Sequence, residues 1–279
     1  MTLIASWVAT DDKPTGKKIS AVYFCADSRF SWSPTGKVYD MGKKVFACKS
    51  YPEIFCFCGD VEFPSNTINS LIDEIENGVL FADDAVIHTK KAFIADFITQ
   101  ALEHYPKDVL AQNFQIYHAT CICRSFYMTE YSYDGHGIKV NDLCLPAVST
   151  LVFSAGSGKS LFDKNWRAAN QNNVNEQNTS RNVYNCFSAT VNEASLHPND
   201  RNLSMVGGSP QMVGLYRNGS TRLFGIVKNG ERYIYGHKVD YKPSLNNIEW
   251  RNDNFERVDP LTMVLIEGAQ SQPFAPRRQ

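Results

Sequence analysis

Met1-Thr2-Leu3-Ile4-Ala5-Ser6-Trp7-Val8-Ala9 opens the chain: an initiator methionine, a threonine, then an apolar run with the pattern of a buried strand. A small second residue such as threonine permits removal of the initiator Met. Removal would leave Thr2 with a hydroxyl and a free α-amine on one residue, a nucleophile carrying its own base. The ordinary pKa of such an amine is about 7.7–8.0, so a modest downward shift makes it a base at neutral pH. A Met-Thr start also occurs with no catalytic meaning. The reading of these nine residues therefore turns on what the rest of the chain supplies.

With 279 residues, 43% of them hydrophobic and 20% charged, the chain can bury a full core, as one large domain or two small ones. A net charge of -1 argues against a general nucleic-acid or membrane-surface binder. No basic stretch followed by an apolar one begins the chain, and no apolar run approaches the length of a membrane span. The expectation is a soluble, cytoplasmic protein. The eight cysteines are sparse for this length. Cys56 and Cys58, and likewise Cys121 and Cys123, lie in apolar strand-like runs and read as buried free thiols. C-x-C pairs lack the spacing of a zinc site, so neither a metal nor a cofactor is expected.

After the opening strand, a polar turn at Asp11–Lys18 leads to a second strand, Ile19–Ala26, which runs into Asp27-Ser28-Arg29. A turn at Ser33-Pro34-Thr35-Gly36 precedes Met41–Ala47, and the strand Ile54–Cys58 closes on Gly59-Asp60. Ser65 then suits a helix cap, with Ile68, Leu71, Ile72 and Ile75 on one face and Gly78 ending the helix. A second helix begins at Asp83 or Asp84 and stops before Pro106, with Val86, Ile87, Phe93, Ile94, Phe97, Ile98 and Leu102 forming its apolar face. Strands follow at 114–123 and 125–133, then a turn containing the solvated His136, then a strand at 149–154. A helical stretch, an Asn- and Gln-rich loop at 171–180 and a helix at 181–196 come next. Strands at 211–216, 221–227 and 232–236 are separated by Asn218-Gly219 and Asn229-Gly230, both hairpin signals. Residues 1–269 read as a single domain and 270–279 as a disordered tail.

The turn Gly156-Ser157-Gly158-Lys159-Ser160 admits two chemistries. A phosphate-binding loop, G-x-x-x-x-G-K-[ST], needs glycine where Phe153 stands. Without it the loop is too short and bulky to wrap a phosphate. The other reading is a tight turn that brings the Ser157 hydroxyl and the amides around Gly156 and Gly158 towards a nearby site.

The order of two hairpins, two helices, three strands, two helices and three strands resembles the proteasome β-subunit and its relatives among the N-terminal nucleophile (Ntn) hydrolases. Local motifs carry the resemblance as far as about Val227. They are Thr2 behind a lone Met; Asp27-Ser28-Arg29 after the second strand; Lys44 in Gly42-Lys43-Lys44-Val45; Gly59-Asp60; and Ser157 in a Gly-Ser-Gly turn. The resemblance implies an α+β fold, a four-layer αββα sandwich of two antiparallel sheets flanked by helices. It also implies a threonine-type hydrolase of peptide bonds. In that reading Thr2 is the nucleophile, Lys44 lowers the pKa of its amine and hydroxyl, Asp27 orients Lys44, and Ser157 relays protons. Arg29, Cys56, Gly156, Gly158 and Ser204 would line the substrate and oxyanion positions.

Cys56 replaces the glycine whose amide serves as oxyanion donor in the family, so the amide is kept and a side chain added. Leu203-Ser204-Met205-Val206-Gly207-Gly208 replaces the usual Asp-x-x-Ser-Gly, with Ser204 as a stand-in and no acidic partner. The implied partners are a peptide or protein substrate and further copies of the chain, with an ATP-dependent unfoldase as a candidate. Nucleic acid and membrane are not among them. The alternatives are a catalytically silent structural or regulatory proteasome-like subunit, a small-molecule amidase, and the phosphate-loop protein considered above.

Overall fold

The computed structural model describes residues 2–14, 16–32, 35–82, 84–106, 113–172 and 177–269. Met1, Asp83 and the expected tail 270–279 lie outside the described residues, as do Thr15, Ser33 and Pro34 of the first two turns and part of the 171–180 loop. The first strands are β1 (Leu3–Lys13), β2 (Gly16–Ala26), β3 (Phe30–Trp32), β4 (Lys37–Tyr39), β5 (Val45–Ala47) and β6 (Glu53–Gly59). Helices α1 (Glu62–Glu76) and α2 (Ile87–His104) follow. Then come β7 (Phe114–Ile122), β8 (Ser125–Tyr133), β9 (Ile138–Asp142) and β10 (Thr150–Gly156), and helices α3 (Lys159–Asn172) and α4 (Ser180–Ser195). The last are β11 (Gln211–Tyr216), β12 (Thr221–Lys228), β13 (Glu231–Ile234), β14 (His237–Lys238), β15 (Glu249–Arg251) and β16 (Arg257–Val258).

The larger sheet has the order β10-β1-β2-β11-β12-β13-β14, with β15 added beside β12 and β16 beside β15. The second sheet is β5-β6-β7-β8-β9, and β3 and β4 form a separate pair. Among the described residues all strand pairings are antiparallel but one: β12 and β15 run parallel, Phe224 opposite Glu249. The expectation of purely antiparallel sheets is corrected there, because β15 belongs to a C-terminal segment that returns along β12 by a long connection.

Strand alternation divides the core. Leu3, Trp7, Tyr23 and Cys25 point from one face of β1 and β2 onto Phe162 of α3 and Val183, Tyr184 and Phe187 of α4. Ile4, Val8, Val22 and Phe24 point from the other face onto Ile54, Cys56 and Cys58 of β6 and Tyr117 of β7. The opposite face of β6 and β7 carries Phe55, Phe57 and Ile116 onto Leu71 and Ile75 of α1 and Ile94 and Ile98 of α2. Each strand of the central pairs is apolar on both sides, which is why their sequences read as continuous apolar runs.

Several local expectations change. Ser65 does not cap α1: the helix begins at Glu62, and the Asp60 carboxylate accepts from the Phe63 amide at 3.1 Å. Pro64 falls in the first turn, where its missing N–H costs no helical bond. In α2 the buried line is Lys90, Ile94, Ile98 and Leu102, whereas Val86 and Phe93 are exposed. Lys90 is on that line because it meets Glu53 of β6 at 2.5 Å; His118 Nε2 (2.5 Å) and Thr120 Oγ1 (2.9 Å) bind the same carboxylate. This buried polar cluster ties α2 to the second sheet. All eight cysteines are free; six are buried, while Cys144 and Cys123 are exposed. Cys123 departs from its expected burial because it occupies a hairpin turn at φ 49°.

Candidate functional site

Thr2 immediately precedes β1, the strand that β10 and β2 clasp from either side. The β10 turn fixes it from one side. The Gly158 amide donates to the Thr2 carbonyl at 3.3 Å, and a Cβ on Gly156 (φ +91°) would lie 2.1 Å from that oxygen. Only glycine allows β10 to approach Thr2 this closely.

From the other side, β2 ends at Ala26 and delivers Asp27. Its backbone amide donates to the Leu3 carbonyl at 3.1 Å, so Asp27 is locked opposite the first residues of β1. The carboxylate is fully buried. Its Oδ1 accepts from the Leu3 amide (2.9 Å), from Lys44 Nζ (2.7 Å) and from the Thr2 hydroxyl. Its Oδ2 accepts from the amides of Arg29 (3.2 Å) and Gly207 (3.0 Å). Lys44 Nζ also lies 2.5 Å from Thr2 Oγ1. The three residues singled out at the centre of the sequence reading thus converge on one another, across 42 positions of chain.

Lys44 sits just before β5, and its whole side chain is buried. Burial pushes its ammonium below the ordinary lysine range, and the Asp27 charge opposes that shift. Its neighbour Lys43 turns the other way, with Nζ 4.3 Å from the Phe46 ring centre and 4.8 Å from that of Tyr235. Only one of the two lysines reaches Thr2, as the alternation of neighbouring side chains implies.

The remaining candidates divide. Arg29 does not point at Thr2. Its guanidinium grips Asp40 in a fork, Nε to Oδ1 at 2.7 Å and Nη2 to Oδ2 at 2.8 Å, and donates to the Ser204 carbonyl at 3.2 Å. The hydrogen bond to Asp40 raises its pKa further. Ser204 takes part through its backbone: its hydroxyl is directed to the Arg201 carbonyl at 3.3 Å. Ser157 is half-buried with Oγ 3.8 Å from Met205 Sδ, and among the described residues no hydrogen bond joins it to Thr2. The Cys56 side chain belongs to the apolar core between the sheets, and burial holds its thiol well above the usual range. Lys159 pairs with Asp163 at 2.5 Å, four residues on along α3, and is half exposed.

Two residues that sequence reasoning passed over complete the frame. Asp40 supplies Arg29 with an acidic partner, and its backbone carbonyl accepts from Ser28 Oγ at 2.8 Å. Gln211, fully buried at the start of β11, accepts from the Lys44 amide (3.0 Å) and donates to the carbonyls of Asp27 (3.1 Å) and Gly42 (2.7 Å). One amide side chain therefore holds the backbones of both charged residues. A glutamine beginning an otherwise apolar strand was the available signal, since a buried amide is retained only where every polar atom finds a partner. Among the described residues no group of three or more His, Cys, Asp or Glu is arranged to hold a metal ion. No described helix is long and apolar enough to cross a membrane.

The chain has the fold of proteasome-like proteins: it superposes on Anbu (ancestral beta-subunit) from Yersinia bercovieri with a TM-score of 0.53. The match covers 79% of this chain and 86% of that one, at 9% sequence identity. No family model matches the sequence, and no curated protein matches it.

Proposed function

We propose that this chain is a threonine-type Ntn hydrolase that cleaves peptide bonds, with Thr2 as nucleophile after removal of Met1. The single observation that carries the reading is the placement of Lys44 Nζ, 2.5 Å from Thr2 Oγ1 and 2.7 Å from Asp27 Oδ1. A buried cation against a threonine hydroxyl favours the alkoxide that forms as the hydroxyl reacts. Once Met1 is gone, the Thr2 amine is the nearest base by covalent attachment. Thr2 Oγ1 attacks the scissile carbonyl and its proton passes to the amine. The amine returns the proton to the leaving nitrogen as the C–N bond breaks, leaving an acyl ester on Thr2. Water, deprotonated by the same amine, then hydrolyses the ester. In this scheme Asp27 orients, Ser157 relays protons to the amine, and the backbone amide of Cys56 serves the oxyanion.

The helix, sheet, sheet and helix cores fit the αββα sandwich of this class, and residues 1–269 are taken as one domain. We take the protein to be a cytoplasmic homo-oligomer acting on peptides or proteins, with an ATP-dependent unfoldase as partner. One observation favours a second reading, a catalytically silent proteasome-like subunit: Thr2 is 1% exposed and Asp27 and Lys44 are 0% exposed, so the nucleophile is sealed. Intact mass separates the two. The hydrolase reading expects a chain lacking one Met that gains one adduct with a threonine-directed electrophile. A chain that keeps Met1 and takes no adduct would overturn it.

A further inference from the structure

A cavity of about 510 Å³ opens beside the candidate site, between the β3–β4 hairpin and the end of α4. It is built onto the site itself. Arg29 in its wall is two residues from Asp27, and Met205 in its wall lies 3.8 Å from Ser157 Oγ. Its apolar surface comes from Trp32, Val38, Pro198 and Met205, and Trp32 and Val38 are half exposed there.

Its charge is one-sided. Among the described residues two arginines line the cavity and no Asp or Glu does. The two guanidiniums differ in state. Arg29 is spent on Asp40 and on the Ser204 carbonyl. Arg201 is exposed and has neither an ion pair nor a side-chain hydrogen bond among the described residues. Ser31 Oγ, on the hairpin wall, also has no partner. A planar guanidinium with free donors, in a cavity also lined by an indole and a thioether, matches a carboxylate on a short apolar stem.

We propose that this cavity is a recognition pocket for a carboxylate on the substrate, gripped by Arg201 and walled by Trp32 and Met205. The proposal deepens the hydrolase reading and rests on it for the word substrate; the pocket's affinity for a carboxylate stands without it. A carboxylate reaches the pocket from an acidic side chain within a peptide or from a free peptide C-terminus.

Calorimetry on the full chain separates these sources and needs no turnover. Three peptides serve as probes: Ala-Ala-Glu-Ala with an amidated end, its Gln counterpart with an amidated end, and Ala-Ala-Gln-Ala with a free carboxylate. One carboxylate peptide should bind about tenfold or more tightly than the amidated Gln peptide, the scale of a hydrogen bond to a charged group. Which one it is identifies the source. Arg201→Gln should erase that margin and Arg201→Glu should reverse it, while both variants keep the parent rate of labelling by a small uncharged threonine-directed electrophile. Equal binding of all three peptides, or a margin that survives Arg201→Glu, overturns the pocket. Absent labelling in the parent alone overturns the hydrolase reading and leaves the binding comparison standing.

Discussion

Replacing Lys44 by methionine is the sharpest test of the site. Methionine keeps most of the volume and removes the charge. The perturbation is local: Lys44 Nζ bridges Thr2 Oγ1 at 2.5 Å and Asp27 Oδ1 at 2.7 Å, and all three residues are buried. At that separation from Asp27, and with an effective dielectric constant of about 20, the gross attraction is about 6 kcal/mol. Burying the two ions costs several kcal/mol each, so the pair contributes far less net stability than that. Breaking a buried pair nevertheless strands the survivor, at about 3–5 kcal/mol. Asp27 keeps the amides of Leu3, Arg29 and Gly207, which puts the variant at the lower end of that range. A loss of about 3 kcal/mol in urea unfolding is expected, with the fold intact. Labelling of Thr2, followed by intact mass, should fall by about 10²-fold or more, the scale of losing one stabiliser of developing charge. Lys43→Met, whose ammonium rests on Phe46 and Tyr235, should label at the parent rate. A folded Lys44→Met chain that labels as fast as the parent would refute the assignment of Lys44.

Ser157→Ala should slow acylation of Thr2 by about 10- to 100-fold if the hydroxyl relays protons, while Lys159→Ala, which removes contacts to Asp163 and Ser154 only, should change little. An ATP affinity that vanishes with Lys159→Ala would instead restore the phosphate-loop reading. Gln211→Leu strands the Lys44 amide and the carbonyls of Asp27 and Gly42, and should cost about 2–5 kcal/mol in urea unfolding; a loss under about 1 kcal/mol would show that water replaces the amide. Native alkylation near neutral pH should modify Cys123 and Cys144 first, because burial raises the thiols of Cys25, Cys56 and Cys58, the last to about 12; early mass-mapped labelling of Cys56 would contradict the packing between the sheets.

The parts of the fold legible in the sequence are those whose local pattern and tertiary role agree. Strands β8 and β11 were placed at their observed bounds because apolar and aromatic residues fill them and turns close them. Strand β9 was missed: Ile138–Asp142 is an edge strand exposed along most of its length, so it needs no apolar signal. Beyond β13 the strands are two or three residues long, and their anchors are single aromatics. Trp250 fills a small core of its own, and the Phe255 ring meets Trp7, Tyr23 and Tyr184. Nothing local announces such a contact. The site divides in the same way. Motif order names Thr2, Asp27 and Lys44 as candidates, and the three lie in contact. It does not name Asp40 and Gln211, because their importance lies in which distant backbones they join.

The hydrogen bonds on Asp27 bear on how the site would work. A carboxylate offers about four lone-pair positions, and five donors from Thr2, Leu3, Lys44, Arg29 and Gly207 converge on this one. These five donors meet on a carboxylate that is fully buried. Its contacts hold Lys44 and Thr2 in register. Of the other candidates for the base, Ser157 faces Met205 and Cys56 faces the core, while Lys44 Nζ meets the Thr2 hydroxyl as a donor. That leaves the α-amine of Thr2, which becomes free only when Met1 is removed. On the hydrolase reading, activity would therefore wait on processing: the contacts that orient Thr2 leave its own α-amine as the base, and that amine is free only when the chain begins at Thr2.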